Sequence, residues 1–165
     1  MNTRLVNQTR MSITLFTLLV LCTGATLGLL VPQHYCDEHF RYAMKNEKQI
    51  YIGIFSAPNA ALKVNSVLNW RATFEVEGKR DLFVSPMNTY PNTTEAATNI
   101  VRGMPAEVFV EFLNITTALP KLTSLYINDR QVCSSEEYPF PKTRITLTHQ
   151  MTFRVKNKAK NSLYI

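Results

Sequence analysis

The stretch HYCDEH at 34–39 crowds together His34, Cys36, Asp37 and His39, side-chain types that ligate zinc. A strand or turn would scatter them, and Cys36 has a competing use in a disulfide, so no metal is assigned. The third histidine, His149, falls on the apolar side of an alternating run, where a core histidine is expected rather than a base. Nucleophilic catalysis needs a nucleophile with a base in reach and a third group orienting that base, and no Gly-x-Ser-x-Gly or comparable context occurs. Paired acids at Glu75/Glu77 and Glu107/Glu111 suit glycoside hydrolysis, which also demands a set carboxyl separation and a sugar-sized cleft. Short strands offer little room for one, and solvated strand faces are the expectation. Beyond the leading segment the glycines are Gly53, Gly78 and Gly103, too few for a phosphate-cradling loop. No enzyme, no catalytic residue and no cofactor are therefore expected. Lys63, Arg71, Lys79 and Arg80 form a weak basic set for a sulfated polysaccharide, whose binding would fall steeply with salt. Exposed charge near a turn serves solubility equally well.

Two segments decide where such a chain works. Arg4 and Arg10 precede a run without charge from Met11 to Val31, with small residues near Thr23-Gly24-Ala25 and Gly28. Basic, apolar and small in that order predicts a secretory signal peptide over 1–28. An uncleaved anchor is the alternative, because the run approaches the ~20 residues that span a bilayer; a cleaved signal leaves no stable membrane association. Cleavage removes Cys22 and two arginines, lowering the formal charge from +6 to +4. A mildly basic secreted surface calls for no nucleic acid partner. Cys36 and Cys133 then remain, with one pairing open to them in an oxidising compartment.

Alternation sets the architecture. In LNWRATFEVEG, Trp70, Ala72, Phe74 and Val76 share one side, with Gly78 turning the chain. In TRITLTHQMTFRV, Ile145, Leu147, His149, Met151, Phe153 and Val155 oppose a polar side rich in threonine. Weaker strands are expected over 48–55, 81–85, 107–113 and 122–128, and helical character only over 95–103. Short strands between Pro, Asn and Gly turns predict an all-β fold, a small immunoglobulin-like β-sandwich over 29–155 closed by one disulfide, with a basic flexible tail over 156–165. Sequons at Asn92 and Asn114 fall where loops or strand ends are expected, so both are candidate N-glycosylation sites.

Three motifs carry a family resemblance. Cys36 precedes the aromatic pair Phe40 and Tyr42; Tyr51, Ile52, Gly53 and Ile54 form an aromatic lead into an aliphatic–Gly–aliphatic step; and Leu119, Pro120, Leu122, Ile127, Asn128 and Cys133 close the unit. This pattern over 36–134 resembles the N-terminal domain of the gastrulation-defective family of arthropod secreted serine proteases. The resemblance implies that the Asn-Asp-Arg turn presents Cys133 to Cys36, locking the ends of the sandwich. It implies an extracellular module of protease cascades, whereas no segment resembling a catalytic triad follows Cys133, so no catalytic role carries over. The expected function is a secreted, non-catalytic binding or regulatory module whose partner is a secreted serine protease or zymogen, with Tyr51, Trp70 and Tyr126 as contact or core aromatics. A sulfated-polysaccharide-binding module, or the idle remnant of a protease that lost its catalytic domain, are the alternatives.

Overall fold

The alternating runs become strands, in the order β1 (Phe40–Lys45), β2 (Ile50–Ala57), β3 (Val67–Glu77), β4 (Phe83–Val84), β5 (Asn88–Thr89), α1 (Thr93–Val101), β6 (Ala106–Leu113), β7 (Lys121–Ile127), β8 (Arg130–Ser134), β9 (Lys142–Thr152), β10 (Arg154–Val155) and β11 (Leu163–Tyr164). The computed structural model describes residues 29–45, 50–58, 67–155 and 163–164; the predicted signal peptide and Lys63 lie outside them. One antiparallel sheet runs β1-β2-β6, with β4 and β5 both on the far edge of β6; the other runs β8-β7-β3-β9. Leu163–Tyr164 return to pair with Arg154–Val155 inside the segment expected to be a flexible tail.

The sheets meet through the side that alternation assigned to the core. Trp70, Ala72 and Phe74 of β3 are buried against Phe40, Phe55 and Phe112 of the first sheet. Phe74 lies edge-on to Phe112 at 5.3 Å and to Phe40 at 5.9 Å between ring centroids, the geometry ring quadrupoles favour. This is the predicted two-sheet sandwich. Gly53 is required by the packing: a Cβ there would come within 2.7 Å of the Phe40 ring and 3.0 Å of Phe112.

Two details depart from the simple pattern. β2 is buried on both faces, with Ile52 and Ile54 as inaccessible as Phe55. Two ion pairs span β2 from β1 to β6: Arg41 Nη1 to Glu107 Oε1 at 2.8 Å and Lys45 Nζ to Glu111 Oε1 at 3.2 Å. Glu107 also accepts the Ser56 hydroxyl at 2.7 Å. The Glu107/Glu111 pair is thus half-buried and ion-paired rather than freely solvated. In β3, the register with β7 shifts between Thr73 and Phe74, and the next residue, Glu75, is fully buried. Its expected place on a solvated face is wrong: it keeps the outer side of β3 opposite Arg144, but Lys142 and the Tyr138 backbone cover it there.

The helix begins earlier than its composition suggests because Asn92 caps it. Asn92 Oδ1 accepts the Glu95 N–H at 3.0 Å, while Asn92 Nδ2 donates to Glu95 Oε1 at 2.8 Å, a reciprocal cap of the kind that satisfies first-turn donors.

Candidate functional site

The disulfide corner gathers the three motifs singled out in the sequence. Cys36 and Cys133 are bridged across 97 residues, with Cα atoms 5.4 Å apart. Cys36 leads into β1 of one sheet and Cys133 lies on β8 at the edge of the other. The chain reaches that edge by a two-residue hairpin: Ile127 pairs with Arg130, and Asn128 and Asp129 occupy positive φ (50° and 61°). Asn and Asp tolerate that left-handed backbone, which matches the strand twist. Asn128 also extends the ladder onto β3, its N–H donating to the Asn69 carbonyl and its Oδ1 accepting the Asn69 N–H, both at 2.8 Å. Tyr42 crosses between sheets, its hydroxyl donating to the Pro120 carbonyl at 2.6 Å, and burial holds the phenol well above its ordinary pKa. His34 packs edge-on against Phe40 and Tyr42. Burial lowers its pKa, opposed by Asp37, 3.5 Å away. Among the described residues no three His, Cys, Asp or Glu side chains gather as a metal set, and Cys36 is committed to sulfur.

A second cluster surrounds buried Glu75. Its carboxylate accepts Lys142 Nζ at 2.9 Å, Arg144 Nε at 2.7 Å and the Tyr138 N–H at 2.9 Å. Lys142 and Arg144 both continue to Glu137 on the surface. Burial alone would raise the Glu75 pKa, but the two cations and the backbone donor together hold it below the usual carboxylate range. With both carboxylate oxygens engaged, this is a clamp between β3 and β9, unsuited to general acid–base work.

The polar outer face of the second sheet is different. A cavity of 520 Å³ is lined there by Asn69, Arg71, Tyr126, Asp129, Thr148 and Gln150, among others. Register places them together: Asn69 faces Gln150, and Arg71 sits between Thr148 and Tyr126. Gln150 Nε2 donates to Asn69 Oδ1 at 3.1 Å, and the Arg71 guanidinium lies 4.1 Å above the Tyr126 ring, a cation–π stack that leaves its in-plane donors free. The side chains of Arg71 and Asp129 form no ion pair among the described residues. Of the expected aromatics, Trp70 is core, with its indole N–H buried and unpartnered among the described residues, whereas Tyr126 belongs to this groove.

The expected basic set is not one patch. Glu77 lies six positions along β3 from Arg71, roughly 20 Å at strand rise, and Lys79 and Arg80 lie beyond the Gly78 turn. Arg80 donates to Thr117 Oγ1 at 3.4 Å, beside a second cavity of 390 Å³ that includes Asn114 and Thr116. Both sequon asparagines are exposed, Asn92 as the helix cap and Asn114 at φ 55° just after β6. Asn69, Asp129, Thr148 and Gln150 were missed in the sequence; the signal lay in the amide and hydroxyl residues on the polar sides of the two longest strands.

Residues 34–143 match the family model described as the serine protease gd N-terminus. No curated protein and no solved structure matches the chain. The family is an N-terminal, non-catalytic module of a serine protease family. With the bridge, the Phe40–Tyr42 pair, Gly53 and the Asn128 turn all inside the matched stretch, the chain belongs to the family of the serine protease gd N-terminus.

Proposed function

We propose that this chain is a secreted, non-catalytic binding module that acts on or beside a serine protease or its zymogen, and that the groove at Arg71 and Tyr126 is its contact surface. One observation carries this reading. The motif residues Cys36, Phe40, Tyr42, Gly53, Asn128 and Cys133 are engaged in building the disulfide corner, whereas Arg71 and Asp129 keep charge and hydrogen-bonding capacity facing solvent. Buried, mutually satisfied groups hold a fold, while exposed convergent polar groups beside an aromatic suit recognition. The Cys36–Cys133 bridge supports an oxidising, extracellular setting, and Asn92 and Asn114 are the positions offered to N-linked glycan there.

The test is capture from native extracellular fluid by the tagged, secreted chain, read by mass spectrometry. Wild type should enrich a serine protease zymogen, and Arg71→Glu with Asp129→Asn should lose it while melting like wild type. Capture of sulfated polysaccharide alone, eluting steeply with salt, would move the function to the polyanion alternative. Retention of the zymogen by the double variant would move the surface elsewhere.

A further inference from the structure

The sheets end in guarded edges, with one exception. β1 is six residues long, β4 and β5 are two residues each, and β8 is five residues long with a register shift opposite it and the bridge at Cys133. β9 runs eleven residues, roughly 37 Å at strand rise. It pairs with β3 in unbroken register from Val67↔Thr152 to Glu77↔Lys142, and β3 is its one strand neighbour among the described residues. Its sequence holds no proline or glycine. Ile145, Leu147 and His149 are half-buried on the inner side, and Arg144, Thr146, Thr148 and Gln150 are exposed on the outer. Long edges ordinarily carry a proline, a bulge, a lysine at mid-strand or an inward charge to block further pairing. The middle of β9 has none of these.

We infer that β9 pairs antiparallel with β9 of a second copy, about a two-fold axis at Leu147, joining two four-stranded sheets into one of eight strands. Leu147 is the midpoint of Lys142–Thr152, so this register pairs the whole strand and keeps its charges apart. Pairing centred on Leu147 sets Thr146 against Thr148, Arg144 against Gln150 and Lys142 against Thr152, so no like charges meet across the strands. Leu147 meets its own copy and Ile145 meets His149 on the inner side, extending the core line of each sandwich. A centre moved to Thr143 would set Lys142 against Arg144. The outer face already uses the same cross-strand chemistry within one chain, where the Thr73 and Thr146 hydroxyls bond at 3.1 Å. A two-fold contact of this kind closes on itself and gives a dimer rather than a filament. This goes beyond the binding role proposed above.

The decisive measurement is the solution mass of the oxidised full chain by light scattering and sedimentation over a wide dilution series. Wild type should show dimer mass that falls to monomer on dilution. Thr146→Lys with Thr148→Lys, and separately Thr146→Glu with Thr148→Glu, should each be monomeric with unchanged melting, and an equimolar mixture should recover dimer mass. Thr148 also lines the groove, but the readout is mass and not zymogen capture, so the two readings fail separately. A wild-type monomer at every concentration overturns the second copy as occupant and leaves the edge to a strand of a different protein. A lysine variant that dimerises as wild type places any interface elsewhere.

Discussion

Where β1 lies against β8, the two sheets are joined by a disulfide, by the Tyr42 hydroxyl on the Pro120 carbonyl and by the Tyr35 N–H on Ser135 Oγ at 3.0 Å. Where β9 lies at the opposite side, the sheets meet through apolar packing that includes buried Met87, Met151 and Phe153. There β9 itself is fastened to β3 by its ladder and by the Glu75 clamp. One seam is covalent and aromatic; the other is apolar, beside a strand held by an ionic clamp and open at its edge. The motif residues concentrate at the first seam. The domain is therefore held shut by the bridge at one side and has an open strand edge at the other.

The contrast is sharpest in the bridge. Cys36→Ser with Cys133→Ser should lower stability by roughly 4 to 5 kcal/mol on the loop-entropy model, measured as a shift in guanidinium midpoint at unchanged slope. A much smaller loss would mean that the aromatic packing already closes that seam. On the other side, Glu75→Ala leaves the buried Lys142 ammonium without its buried partner and should cost roughly 3 kcal/mol, checked by urea unfolding. Near-neutral behaviour would show that Glu137 alone holds Lys142 and Arg144. Gly53→Ala forces a methyl against the Phe40 ring and should cost about 2 kcal/mol by overpacking, read in a thermal melt. Tyr42→Phe removes one buried hydroxyl donor and should cost about 1 kcal/mol, with the disulfide intact.

Acidification probes both seams through a weaker effect. Burial lowers the folded pKa of His34 and of His149 below the ordinary 6.5, opposed by Asp37 in one case and the Met87 backbone in the other. The unfolded chain therefore takes up these protons first. Stability should be flat above pH 6.5 and fall as pH drops below it through the lowered folded values. A second decline should begin below the ordinary 4.5 of Glu75, whose folded pKa is also lowered. His34→Gln and His149→Gln should each remove part of the first decline and leave the second. An undiminished first decline in both variants would assign it to other groups.

Much of the sandwich was legible because alternation reports which side of a strand faces the core. β3 and β9 followed it, and the Asn128–Asp129 turn followed from residue types that accept positive φ. Glu75 did not follow, because the outer side of β3 is covered at that point by Lys142 and the Tyr138 backbone, and these partners lie far along the chain. The ion pairs over β2 left a partial trace: Arg41 and Lys45, like Glu107 and Glu111, are four apart and so share a strand face. Only the strand order makes them meet. The groove was hidden for the same reason, since Asn69, Tyr126 and Gln150 come from three strands whose adjacency is a matter of topology. Lys79 and Arg80 were grouped with Arg71 by sequence proximity, and the length of β3 separates them.

The Cys36–Cys133 bond also determines how the molecule would carry a mechanical load. Tension entering the chain ahead of Cys36 and leaving beyond Cys133 passes directly from sulfur to sulfur, so the intervening strands β1 to β7 are off the load path. Of the two sheets, only β9 and the end of β8 remain in series with the pull. A force-ramp experiment on the oxidised protein would then detach β9 from β3 while the rest of the sandwich stayed shut.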